Sequence, residues 1–226
     1  ITANEVTVQF GQKPRFEDIS ITFSRGNVYG LIGANGSGKS TFMKVLSGDL
    51  EPTSGNVSIQ KDRRVSMLSQ DQFAFEEINI IDCVMMGHKK LWSIKKERDR
   101  IYALEDMNEG EALKVSNLEI EFSDMNGYSA ESDASELLLG LGISIEEQSL
   151  DMKNISPERK LKVLLAQALF GEPDILLLDE STSNLDIDTK KFIFDILKNK
   201  NITIINSTHN HEDFNYDHHM RIIYKK

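Results

Sequence analysis

With 226 residues, 39% of them hydrophobic, the chain is long enough to bury a substantial core as one domain, or as one domain plus a subdomain. Its formal net charge of −10 repels nucleic acid on average, so any RNA contact has to come from a local basic patch. The single cysteine, Cys83, excludes an internal disulfide, and no apolar stretch is long enough to span a bilayer as a helix. A soluble, cytoplasmic protein is expected. No signal-peptide pattern opens the chain, and because residue 1 is Ile rather than Met, the natural N-terminus is expected to be trimmed or not represented.

The first elements expected are strands at 5–10 and 18–23, where apolar and polar residues alternate as on a half-buried sheet. Gly11 and Pro14 fall in the turn between them. Phe10 or Phe16 either stacks on an adenine ring or packs in the core, and the pattern leaves both open; Phe10 is the nucleobase candidate. Next, 27–32 reads as a buried strand, and 42–46 has the apolar spacing of the first turns of a helix.

Between them lies Gly33-Ala34-Asn35-Gly36-Ser37-Gly38-Lys39-Ser40-Thr41. Strand, glycine loop and helix in that order are the context of a Gly-x-x-x-x-Gly-Lys-Ser phosphate loop. Glycines let successive backbone N–H groups turn inward into a nest at a helix N-terminus. Lys39 adds a point charge on the β- and γ-phosphates, Ser40 offers its hydroxyl to Mg²⁺, and Thr41 donates near the α-phosphate. Asn35 through Thr41 therefore predict a nucleoside triphosphate site.

A turn at 52–55 is followed by strands at 56–59 and 64–68. The second runs into Gln70, whose amide oxygen at a strand end is suited to ligate Mg²⁺ and order an attacking water. From 80 to 104 the periodicity is helical, with Lys89, Lys90, Lys95, Lys96, Arg98 and Arg100 gathered near its middle. Residues 105–136 are acidic and read as a helical hairpin or arm. The basic cluster is the one candidate RNA or partner patch; a solvated face is the plainer reading.

A further helical stretch is expected at 135–141. Ser156 as N-cap, Pro157 at the first helical position and Glu158 in the first turn open a helix through Phe170, ended by Gly171 with Pro173 beyond. The apolar run 174–178 closes on Asp179 and Glu180, a strand buried on both faces as in a parallel sheet. Asp179 would hold Mg²⁺ through water and Glu180 would polarise the attacking water. A helix at 187–198 follows, and then a buried strand at 202–206 delivers Ser207, Thr208 and His209 to the same sheet edge, where ligands of open α/β sheets sit. His211, His218 and His219 read as surface residues.

Phosphate loop, glutamine, helix-opening signature, Leu176-Leu177-Leu178-Asp179-Glu180, Asn184-Leu185-Asp186 and a late histidine together resemble an ATP-binding cassette. More narrowly, 70–77, 164–170 and Asp186-Ile187-Asp188-Thr189 are similar to class F cassettes, soluble twin-cassette ATPases that act on ribosomes rather than membrane channels. The resemblance covers essentially the whole chain, as the first of two cassettes. It implies an α/β fold: a mainly parallel core sheet and antiparallel β subdomain (1–75 and 170–226), and a helical subdomain (76–169) with an arm at about 91–136. It implies ATP and Mg²⁺ as ligands, Glu180 as general base, Gln70 as water and Mg²⁺ sensor, and His209 as the switch histidine. Asn184, Leu185 and Asp186 match the loop that meets the opposite cassette. The implied partners are a second cassette and, in the full-length context, ribosome or tRNA; no membrane is implied.

Three departures qualify the resemblance. Where the family has Leu-Ser-Gly-Gly-Gln, a loop that closes over the other cassette's nucleotide, this chain reads Ile155-Ser156-Pro157-Glu158-Arg159. Like charges ~4 Å apart repel by about 4 kcal/mol at an effective dielectric of about 20, close to a ~thousandfold loss of affinity. A poor signature donor, with slow or no hydrolysis by the chain alone, is expected. Ser181 replaces the family's proline, and only one cassette is present. Two other readings stay open: the nucleotide-binding subunit of a membrane transporter, and a non-catalytic ATP-binding module.

Overall fold

The computed structural model describes residues 1–11, 13–61, 63–68, 73–179, 197, 201–208 and 216–222. The chain divides into two units, Ile1–Gln70 with Glu172–Lys226, and Asp71–Gly171.

In the first unit, the alternating N-terminal segments form β1 (Thr2–Phe10) and β2 (Lys13–Thr22), and β4 (Ser54–Ser58) completes an antiparallel sheet in the order β2-β1-β4. β1 starts earlier than the alternation indicates because it carries register shifts between Ala3 and Val6 and again before Val8. Pro14, expected in the turn, is the second residue of β2, opposite Gln9. β2 is an edge strand, where a missing N–H is tolerated.

A parallel sheet in the order β5-β6-β7-β3-β8 is built from β5 (Val65–Leu68), β6 (Ile175–Asp179), β7 (Thr203–Thr208), β3 (Val28–Ile32) and β8 (His218–Arg221). β8 is absent from the sequence expectation: His218-His219-Met220-Arg221 has neither alternation nor an apolar run, and its pairing with β3 defines it. β6 is buried throughout, which is why it reads as a near-continuous apolar run up to Asp179, whereas β7 is buried throughout although its second half is polar. Helix α1 (Lys39–Ser47) buries Phe42, Met43, Val45 and Leu46 in one cluster with Val6, Val8 and Phe16 of the antiparallel sheet and Tyr29, Leu177 and Ile205 of the parallel one. That single core fixes where α1 begins, and hence where its N-terminal amides lie.

The second unit is helical. The expected helix at 80–104 is two, α2 (Ile80–Met85) and α3 (Lys89–Tyr102), broken at Gly87, where an added Cβ would stand 1.8 Å from the Gln167 carbonyl oxygen. α4 (Glu109–Asp124) opens with a capping box between Asn108 and Glu111 and packs antiparallel on α3. Here the basic cluster meets the acidic segment. Lys90 pairs with Glu121 at 3.5 Å and Arg98 with Glu119 at 3.7 Å across the hairpin, and within α3 Lys95 pairs with Asp99 at 2.9 Å and Arg100 with Glu97 at 2.9 Å, while Lys96 lies over the Trp92 ring. Much of the charge that marked a candidate RNA patch is spent inside the hairpin. α5 (Ala130–Gly140) and α6 (Ile145–Gln148) lead to α7 (Pro157–Leu169), which has Ser156 as N-cap and Pro at its first turn.

Candidate functional site

Because β3 ends at Ile32 and α1 starts at Lys39, residues 33–38 have six positions in which to reverse direction at the carboxyl edge of the parallel sheet. Gly36 and Gly38 do so with φ of 77° and 100°, a left-handed backbone that side chains resist. Gly38 is the N-cap of α1 and brings no capping side chain, and the first turn holds no acidic residue. The positive end of the helix is left to whatever lies beyond it.

Lys39 is buried, and its ammonium donates to the Gly33 carbonyl at 2.8 Å and the Ala34 carbonyl at 3.3 Å, so the cation is held inside the loop. Ser37 is buried too; its hydroxyl sits where a Cβ on Gly33 would come within 2.5 Å of it, and it has no hydrogen-bond partner among the described residues. Asn35 is exposed, and Thr41 is half-buried in α1. From the neighbouring sheet, Arg15 donates to the Gly36 carbonyl at 3.4 Å.

The register of the sheet supplies the acid. Asp179 is the last residue of β6 and lies opposite Ser207 of β7, on the face that packs against α1. Ser40 donates to Asp179 Oδ1 at 3.0 Å and Ser207 donates to the same oxygen at 2.8 Å. The carboxylate is 5% exposed, and among the described residues no cation pairs with it. Burying an ionised carboxylate without a counter-charge is costly, so this set, an orphan hydroxyl and a buried ammonium in the loop and an acid beside Ser40, fits a triphosphate with a divalent cation.

The two phenylalanines separate. Phe16 is buried, edge-on to Phe42 at 5.5 Å and directly under Gly38, whereas Phe10 is 57% exposed at the end of β1. Only Phe10 has a face free for a base. In the second unit, Ser156 caps α7, accepting from the Arg159 amide at 3.4 Å, and exposed Glu158 reaches Lys162 at 3.3 Å. Gln70, Glu180, Asn184, Leu185, Asp186 and His209 lie outside the described residues. Ser207 was expected at this sheet edge but was given no role there. The signal was available: Asn206-Ser207-Thr208 is a run of three polar residues closing a fully buried strand.

A glycine loop between a buried strand and a helix, at the carboxyl edge of a parallel sheet, is the architecture of a phosphate-loop nucleotide-binding domain. The model of the family described as "ABC transporter" matches residues 16–183, and the chain belongs to that family, as an ATP-binding cassette domain. The Probable ATP-binding protein YbiT of Escherichia coli O157:H7 is 56% identical over 215 residues, which are 95% of this chain and 41% of that protein. ABC transporter F family member 4 of Arabidopsis thaliana is 26% identical over 225 residues, 95% of this chain and 30% of that protein. The chain thus spans less than half the length of these relatives. The fold is that of the crystal structure of MJ1267 in its ADP conformation, an ATP-binding cassette of an ABC transporter, with a TM-score of 0.69, 20% identity, and coverage of 98% of this chain and 86% of that one. Cassettes of this family bind ATP, generally with Mg²⁺, and typically work in pairs.

Proposed function

We propose that the chain is the ATP-binding cassette of a class F, translation-associated ATPase that binds ATP with Mg²⁺ and hydrolyses it when a second cassette closes on the site. The observation that carries the nucleotide reading is the convergence of Lys39, Ser40 and Asp179 at one sheet edge. Class F is supported by the relative named as an F family member and by relatives long enough to hold a second cassette. It is supported too by a helical hairpin where the arm is expected.

In this reading the amides of Gly36 to Thr41 and the Lys39 ammonium take the phosphate oxygens, and Phe10 lies under the base. Ser40 and Asp179 would hold Mg²⁺, which when bound supplies positive charge against that developing on the phosphates. Glu180 polarises the water, Gln70 orders it, and His209 contacts the γ-phosphate. Such chemistry is positioning and charge stabilisation more than covalent work. Asn184, Leu185 and Asp186 face the partner cassette, and ribosome or tRNA is met by the full-length protein.

One observation favours a second reading, a non-catalytic binding module. Of the first amides of α7, Pro157 has none and that of Arg159 is taken by Ser156, so at most the Glu158 amide is left to greet a partner's phosphate. Single-turnover hydrolysis of γ-labelled ATP separates the two. The expected result is no product from the chain alone, product when a second cassette is supplied, and its loss in Glu180→Gln. Product released equally well by the chain alone contradicts the paired-cassette reading, and none with a partner present favours the module.

A further inference from the structure

We propose that Ser207 is a positioning residue for Asp179, fixing the carboxylate that receives the divalent cation. The inference rests on the nucleotide reading above.

Ser207 and Asp179 are register partners on adjacent parallel strands, so their side chains emerge side by side on one face. Ser207 is 1% exposed, and its hydroxyl donates to Oδ1 at 2.8 Å. Ser40 donates to the same oxygen at 3.0 Å from α1. Two donors from two different elements on one oxygen stop the carboxyl group from rotating, and Oδ2 accepts from no other described residue. The two anchors are not equivalent. Ser40 stands in the first turn of α1 beside the phosphate loop, so in the nucleotide reading its hydroxyl is itself offered to the cation. Ser207 is fixed in the central strand and references Asp179 to the sheet. Without it the acid is tethered only to the element that is itself being loaded, and the cation meets a carboxylate that must first be ordered. An aliphatic residue at 207 would pack equally well in a buried strand, so burial alone does not call for the hydroxyl.

The test is a titration of Mg²⁺ into the chain at fixed fluorescent ATP analogue, reading the Mg²⁺ concentration at half-maximal binding. Ser207→Ala is expected to raise that midpoint about tenfold, the scale of one hydrogen bond to a charged group. Analogue binding in EDTA should be unchanged, and Ser207→Thr, which keeps the hydroxyl, should restore the midpoint. A merely structural hydroxyl would lower the melting temperature of Ser207→Ala and leave the midpoint where it was; that result overturns the proposal while the nucleotide site stands. Failure of the unsubstituted chain to bind the analogue in Mg²⁺ overturns both.

Discussion

At Gly87 the corner between α2 and α3 lies against the backbone of α7, and a Cβ would sit 1.8 Å from the Gln167 carbonyl oxygen and 2.8 Å from its carbon. Nothing flexible is there to give way, so Gly87→Ala should destabilise the helical unit by about 3 kcal/mol or more, read as a lowered urea midpoint. Nearby, Cys83 is buried, and burial pushes its thiol up to about 12. The thiolate is the reactive form, so the native chain should resist iodoacetamide at pH 8 and react once urea opens α2. Prompt labelling of folded protein would contradict this packing. At the scale of single residues, Lys39 and Ser40 were legible because a phosphate loop dictates backbone and side chains together. The bond from Ser207 to Asp179 was not, since it depends on which β6 residue Ser207 faces across the sheet. Phe10 and Phe16 lie on similarly alternating strands, and only the packing of Phe16 on Phe42 separates them.

The α3–α4 hairpin is held by charge as well as by apolar contact. Hydrogen bonds from Arg100 and Lys114 draw the Glu97 carboxyl down from 4.5 to about 2. A carboxylate depressed in the folded state adds stability that is fully present above its unfolded value and is lost as pH falls through its folded one. The contribution of Glu97 should therefore fade between about pH 4.5 and pH 2. Glu97→Gln should lower thermal stability at pH 7 and converge with the unsubstituted chain near pH 2; parallel curves throughout that window would refute the pairing. The hairpin's helices and its acid–base composition could be read in advance. The pairs between the two helices could not, because (i, i+3) and (i, i+4) spacing shows charges on one helix, such as Lys95 with Asp99, and not those of the helix that packs on it. The break at 86–88 was hidden for a similar reason: Gly87 yields to α7, which is far away in sequence.

On the scale of the whole molecule, the phosphate loop and the strand that ends in Asp179 are separated by most of the chain, and the parallel sheet brings them together through the order β6-β7-β3. Unbroken apolar strands announced that sheet, and an isolated glycine loop announced its ligand-binding edge. The edge strand β8 went unread because pairing with β3, rather than composition, makes it a strand. A concavity among the described residues of the first unit, about 500 Å³ lined by Thr22, Arg25, Ser58, Arg63, Asp174 and Thr203, lies at the opposite end of β6 and β7 from Asp179 and Ser207. Ligands of such sheets enter at the carboxyl ends, so Arg63→Ala should leave ATP affinity unchanged in a fluorescence titration. A large loss would move the site to the wrong edge.

The most direct measurement is equilibrium binding of Mg·ATP to the chain and to Lys39→Ala. Removal of the buried ammonium between the loop carbonyls should weaken binding by about a hundredfold, the scale of charge-assisted hydrogen bonds lost in a closed site, with the fold unchanged by circular dichroism. Equal affinity of the two proteins would mean that the loop after β3 does not hold the triphosphate.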